Sequence, residues 1–272
     1  MRSIPSSGES IPAIGLGTWQ TFDVGSDRSR RTPLRTVLQA FVQLGGRVID
    51  SSPMYGTSES VVGDLAADLD GRDQLFLATK VWTTGKAAGV RQIEESMRRL
   101  RTERLDLLQI HNLVDARTQL DTLRGLKRDG RIRYIGVTHY TAAGAEAIAQ
   151  FIASEAVDTI QINYSAVERA AEERLLDAAH DRGIAVIVNR PLGGEGGGRL
   201  RRLATRPLPA WAGEIECTSW AQLLLKFVVS HPAVTCAIPA TADPAHLRDN
   251  MAALRGPQPD QALRMRIAAE CR

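Results

Sequence analysis

A chain of 272 residues, 43% hydrophobic and 24% charged, holds ample apolar material for a core and is long enough for one large barrel or two small domains. Its 34 basic residues face 31 acidic ones. The densest basic runs (Arg28, Arg30, Arg31 and Arg199, Arg201, Arg202) lack interleaved aromatics, so they read as solvated surface or a local field for phosphate-bearing ligands, and no nucleic-acid partner is expected.

Short β-branched apolar runs alternate with longer amphipathic segments along the chain. The first strand is expected at Ala13 to Trp19, after a Pro/Ser/Gly stretch able to form a hairpin, and a helix from Pro33 to Leu44 has its proline in the first turn. Arg47 to Asp50 is the second strand, and a helix starts near Ser58, where SES supplies an N-cap. Strand Leu75 to Lys80 precedes a helix from Val90 to Leu100, and strand Leu105 to His111 precedes a helix ending at Asp129-Gly130. Strand Tyr134 to Val137, helix Ala142 to Ser154, strand Thr159 to Asn163 and helix Ala171 to Arg182 follow, the last stopped by Gly183. Strand seven is Ile184 to Val188, a helix spans Thr218 to Ser230, strand eight is Val234 to Ile238, and a last helical stretch begins after Pro244.

Eight strand–helix alternations predict a parallel sheet with helical crossovers. In this length they close naturally as a (β/α)8 TIM barrel, a single domain over residues 1–272 with an N-terminal β-hairpin across its bottom. An open doubly wound sheet is the alternative. Pro191 to Ile215, rich in Gly and Arg, is expected as a long loop over one mouth. Cys217, Cys236 and Cys271 form no CxxC pair, MRSIPSSGES has no apolar signal core, and no run approaches the roughly 18 apolar residues of a membrane span. A cytoplasmic setting without a membrane partner is the expectation.

Active sites of such barrels sit at the carboxyl ends of the strands. Asp50 ends strand two, Tyr55 follows it, Lys80 ends strand three and His111 ends strand four. Taken singly, each has a bland reading: a helix cap or ion pair, a surface aromatic, a snorkelling lysine, a structural histidine. Together on adjacent strand ends they can converge. GLGTWQ lacks the third glycine of a dinucleotide-binding turn, and Gly193 to Gly198 lacks the Lys-Ser/Thr of a P-loop. No histidine pair or cysteine cluster has zinc spacing, so no metal is expected.

GLGTW, IDSSPMYG, ATKVW and QIHN resemble the four catalytic segments of the aldo-keto reductases. GVTHY, QINYS, RPLGG and IPATADPAHLRDN continue the likeness over nearly the whole chain. The resemblance implies an oxidoreductase that passes hydride from a nicotinamide cofactor to a small aldehyde or ketone, with Asp50, Tyr55, Lys80 and His111 as the catalytic tetrad. Tyr55 would be the proton donor, its pKa lowered by Lys80, which Asp50 holds charged, and His111 would donate to the substrate oxygen. A competing reading is a nucleotide-binding barrel serving as a redox sensor or partner subunit with little turnover.

The same resemblance implies cofactor contacts from Gly17 and Thr18, from Gln161 to the nicotinamide amide, and from Thr138 and His139, which stand where the family usually has Ser-Asn. Arg190, Pro191, Leu192 and Gly194 match the pyrophosphate segment, and Asn189 replaces an aromatic that commonly stacks on the nicotinamide. Thr241 matches the hydroxyl at the 2′-phosphate, and Asp249 and Asn250 match the adenine pair. Ala240 replaces a frequent lysine and His246 a frequent arginine, so NADPH is expected over NADH by a reduced margin. Trp19 and Trp82 resemble aromatics of the substrate pocket, although core packing suits either. The short connection after His111 suggests an open site.

Overall fold

A computed structural model describes residues 1–154, 157–194 and 197–271. The chain opens with a hairpin, β1 (Arg2–Ser3) and β2 (Ser10–Ile11). Next come β3 (Leu16–Gly17), α1 (Arg28–Gln43), β4 (Val48–Asp50), α2 (Ser58–Ala66), β5 (Phe76–Val81) and α3 (Lys86–Leu100). The middle holds β6 (Leu105–His111), α4 (Ala116–Arg128), β7 (Ile132–His139), α5 (Ala145–Ser154), β8 (Thr159–Asn163) and α6 (Leu175–Asp181). The last part is β9 (Ala185–Asn189), α7 (Gly198–Leu203), α8 (Trp220–Val229), β10 (Val234–Ala237), α9 (Pro244–Ala252) and α10 (Gln261–Glu270).

β3 to β10 pair in sequence order, every pair parallel, as helical crossovers require. The first and last strands then meet. Gly15 N donates to Ala237 O (2.8 Å), Ala237 N to Ala13 O (2.9 Å) and Gly17 N to Pro239 O (3.1 Å), which closes the wall. Only glycine fits this seam: a Cβ at residue 17 would lie 2.7 Å from Ile238 O, and one at residue 15 would lie 2.9 Å from Val48 O.

Apolar residues fill the lower barrel, among them Val48, Phe76, Leu107, Ala185 and Cys236, and Ile4 and Ile11 of the hairpin plug the end from below. Polar contacts fasten the plug. Ser7 Oγ lies 2.7 Å from Tyr134 Oη, which donates to Glu9 Oε2 (2.6 Å), and Arg133 pairs with Glu9 and with Asp106. The expected hairpin and barrel are both present.

Several boundaries differ from expectation for local reasons. α1 starts at Arg28 because Asp27 caps it, accepting from the amides of Ser29 and Arg30, so Pro33 lies inside the helix rather than in its first turn. α2 is capped by Thr57 without a side-chain bond, while the Ser58 hydroxyl donates to Thr18 O (3.4 Å). α3 begins at Lys86, behind Gly85 in a positive-φ turn (82°). The stretch 191–215 is not one long loop: it contains α7 and a 3-10 turn over Ala210–Ile215 that buries Trp211 and Ile215. The C-terminal stretch divides into α9, capped by Asp243, and α10, capped by Asp260. α8 is buried throughout, which explains its nearly continuous apolar sequence.

Candidate active site

Asp50 ends β4 inside the barrel, 2% exposed, and four donor contacts reach its side chain or the loop beside it. Lys80 Nζ donates to Asp50 Oδ2 (2.5 Å) and to Ser51 O (2.7 Å). Gln109 Nε2 and Gln161 Nε2 donate to Asp50 Oδ1 at 3.1 and 2.9 Å. Asp50, Gln109 and Gln161 stand on β4, β6 and β8, the alternate-strand layering of such barrels. Gly136 on β7 makes room for this layer, since a Cβ there would lie 2.9 Å from Gln109 Cγ. A buried ion pair survives only when its remaining hydrogen-bond sites are filled, and this one is filled from three strands.

Above the layer, Tyr55 sits in the loop after β4. Asp23, from the β3–α1 loop, accepts from Thr57 N (2.9 Å) and Thr57 Oγ1 (2.8 Å), and Gly25 N donates back to Thr57 Oγ1 (2.9 Å). Gly56 is left-handed (φ 59°), and a Cβ there would collide with the Asp23 carboxylate at 2.4 Å. The clamp sets the Tyr55 ring against two partners. Lys80 Nζ lies 5.2 Å from its centroid, and the His111 ring meets it edge-on at 5.8 Å between centroids and 85° between planes.

Electrostatics divide the roles. Burial is the main influence on the Lys80 ammonium and acts to lower its pKa, but the Asp50 carboxylate and the Tyr55 phenol outweigh it, so Lys80 stays charged. His111 is held down to about 3, by burial first and then by the Lys80 charge, and is neutral near pH 7. The Tyr55 expectation is reversed. Loss of water raises its pKa above the ordinary 10.0, Lys80 pulls back, and Asp50 adds to the rise. Lys80 fails to win because burial, the largest influence, and the Asp50 carboxylate together outweigh it. Tyr55 is therefore a fully protonated phenol near pH 7.

His111 Nδ1 lies 2.9 Å from Ser52 Oγ, which also accepts from Met54 N (3.4 Å). Ser52 was not singled out from sequence, nor were Asp23, Gln109 and Tyr140. Short polar residues in a loop carry no periodic signal. Gln109 was findable, two residues before His111 and so on the same inward face of β6.

The strand ends show what cofactor chemistry this rim fits. The side-chain oxygens of Asn112, Asn163 and Asn189 are buried without hydrogen-bond partners, and Asn163 and Asn189 are paired in register across β8 and β9. Buried carboxamide oxygens need donors, and the amino group of a nicotinamide carboxamide supplies them, so the rim fits such a group. Gln161 sits deeper. Its Nε2 is engaged by Asp50 and its Oε1 accepts from Thr138 Oγ1 (3.3 Å), which leaves the second lone pair of Oε1. His139 Nδ1 accepts from Thr141 N (3.2 Å).

Gly17 and Thr18 belong to the closing seam, where Thr18 Oγ1 donates to Asp50 O (3.0 Å). Pro191 is buried, Leu192 and Gly194 are half-buried, and Arg190 has left-handed backbone (φ 49°). Trp19 is half-buried and Trp82 exposed at the rim. Near the start of α9, Thr241 Oγ1 accepts from Asp243 N (3.0 Å), and His246 is exposed, its Nδ1 3.9 Å from Asp243 Oδ2. Asn250 is buried, whereas Asp249 is turned toward α8, accepting from Ser219 Oγ and Gln222 Nε2, both at 2.6 Å. Among the described residues no group of three or more His, Cys, Asp or Glu could hold a metal, and no helix is long and apolar enough to cross a membrane.

The family model described as the Aldo/keto reductase family matches residues 13–265. The methylglyoxal reductase YeaE of Escherichia coli is 33% identical over 261 residues, which is 93% of this chain and 89% of that protein. A solved aldo/keto reductase from Klebsiella pneumoniae, in complex with NADP and acetate, aligns with a TM-score of 0.82 at 30% identity over 98% of this chain and 94% of that one. An aldo-keto reductase from the same organism, in complex with NADPH, gives 0.80 at 29% over the same shares.

Proposed function

The chain belongs to the aldo/keto reductase family, and from that premise we propose that it reduces a small aldehyde or ketone to an alcohol with NADPH, with Tyr55 as proton donor. The observation that carries this reading is the pairing of a protonated phenol with a charged lysine and a neutral imidazole at one rim. The NADP and NADPH bound in the two Klebsiella neighbours support the choice of cofactor.

When bound at the rim, NADPH supplies the hydride, which no side chain can. Asn163, Asn189 and the free lone pair of Gln161 would hold its carboxamide. Thr241 and Asn250 would hold its adenosine end. His111, kept neutral, donates an N–H to the substrate oxygen and fixes its position between imidazole and phenol. Tyr55 Oη gives its proton to that oxygen as negative charge develops there. Lys80 stabilises the phenolate left behind, which is why a charged lysine must stand beside a phenol that is protonated at rest. Asp50, Gln109 and Gln161 hold Lys80 in place and charged.

The test is loss of the reduced-nicotinamide absorbance with nitrobenzaldehyde or methylglyoxal, using Tyr55→Phe as control. Turnover by the parent and not by the variant is expected. Equal turnover by both would end the assignment.

A further inference from the structure

One group at the rim has no part in the proton chemistry. Arg190 follows β9, and its left-handed backbone (φ 49°) is matched by a side chain that reaches aromatic residues of two other strand ends. Its guanidinium carbon lies 4.9 Å from the ring centre of Tyr140, after β7, and 5.9 Å from that of Trp19, after β3. Tyr140 is stacked in turn on His139, at 5.9 Å and 7°. Arg190 is half-buried, and although its carbonyl accepts from Gly193 N (3.0 Å), its guanidinium makes no hydrogen bond or ion pair with any described residue. Its charge is nonetheless felt at the Tyr55 phenol, so it stands near the reacting end of the site.

Charge balance and geometry agree on its use. Lys80 is offset by Asp50 and His111 is neutral, which leaves Arg190, among the described residues, as the uncompensated positive charge that acts on Tyr55. A guanidinium resting on aromatic rings keeps its N–H donors in its own plane. Those donors form a fork that fits a carboxylate through two parallel hydrogen bonds. We propose that Arg190, supported by Trp19 and Tyr140, is an anion subsite that selects carbonyl substrates bearing a carboxylate a few bonds from the reacting carbon. The proposal rests on the reduction assigned above and adds to it the class of substrate. A phosphate of the cofactor offers the same acceptor chemistry. The contact with Trp19 and the action of its charge on Tyr55 favour the substrate as its source.

The experiment compares 4-carboxybenzaldehyde with benzaldehyde, which present the same reacting group. The parent should favour the carboxylate in kcat/KM by about tenfold or more, the worth of one charge-assisted pair. In Arg190→Met that ratio should fall to near one, with Arg190→Lys between them. A separate arm measures benzoate binding to the NADP+-loaded protein by calorimetry, with benzamide as the neutral control. Benzoate binding that Arg190→Met abolishes supports the subsite even if neither aldehyde is reduced, a result that would sink the reduction and leave the subsite standing. An unchanged ratio in Arg190→Met would overturn the proposal, and an NADPH Kd weakened tenfold alongside it would assign Arg190 to the cofactor instead. Absence of benzoate binding to the parent would overturn it as well.

Discussion

Ser52 Oγ lies 2.9 Å from His111 Nδ1 and also accepts the amide of Met54. We expect the Ser52 hydroxyl to donate to Nδ1, which would put the imidazole proton on Nε2, the nitrogen left for substrate. Ser52→Ala should therefore lower kcat by about 2- to 12-fold, the worth of one neutral hydrogen bond, with little change in cofactor Kd. Nitrogen NMR of His111 should shift from a single Nε2–H tautomer in the parent to a mixture in the variant. Unaltered tautomer and kcat would mean that Ser52 only packs.

Tyr55→Phe should lower turnover by about 10²–10⁴, the usual range for a lost general acid, and leave NADPH affinity within a factor of a few. Fluorescence titration of the cofactor beside steady-state rates separates the two. Turnover within twofold of the parent would remove Tyr55 from the chemistry.

Lys80→Met should be at least as damaging to rate, and it should also cost stability. Lys80 is fully buried against Asp50, and removing one partner of a buried pair strands the other at a cost of about 3–5 kcal/mol. Urea unfolding at neutral pH is the measurement. A variant as stable as the parent would mean that Asp50 takes up a proton or water without penalty.

The pH profile of reduction follows from the directions of two shifts. Tyr55 lies above 10.0, so its donor form persists to high pH, and His111, near 3, stays neutral down to acid. The rate of the chemical step should be flat from about pH 5 to about pH 9. A fall centred between 7 and 9, with hydride transfer shown to limit the rate, would revive a phenol lowered by Lys80.

Acid should weaken the fold earlier than it weakens the chemistry. His231 is lowered to about 4, by burial and then by Arg264, and His111 to about 3, both from an ordinary 6.5. In each case the unfolded chain binds a proton that the folded one refuses, so the stability is complete above 6.5 and is lost as pH falls toward the folded values. Each histidine removes about 3 kcal/mol by pH 4. His231→Gln should therefore lose less stability than the parent between pH 7 and pH 4.5 in urea titrations. Parallel losses would discount His231.

The eight-stranded parallel wall was legible because strand and helix periodicities alternate cleanly, and the hairpin because Pro, Ser and Gly cluster before Gly15. The tetrad residues were legible as chemistry-bearing types at strand ends. Their protonation states were not. Whether Lys80 lowers Tyr55 depends first on how deeply the fold buries the phenol and then on Asp50, 2.5 Å from the same ammonium, and no spacing encodes either. The start of α1 was hidden by Pro33, which drew attention from the better cap at Asp27. Arg190 looked like a phosphate contact because its neighbours Pro191 to Gly194 fit that segment, and only the fold brings Trp19 and Tyr140 to it.

The glycine seam between β3 and β10 has a consequence for the chain while it is being made. Gly15 and Gly17 pair with Ala237 and Pro239, which leave the ribosome about 220 residues later. At about 5–20 residues per second, the first strand waits roughly 10 to 40 seconds for its partner. Until then β3 and whichever strand was made last are open parallel edges, the surfaces most prone to pair with a neighbouring nascent chain. A polypeptide cut short before β10 keeps both edges permanently, and it should be found with chaperones or in aggregates rather than as a smaller working barrel.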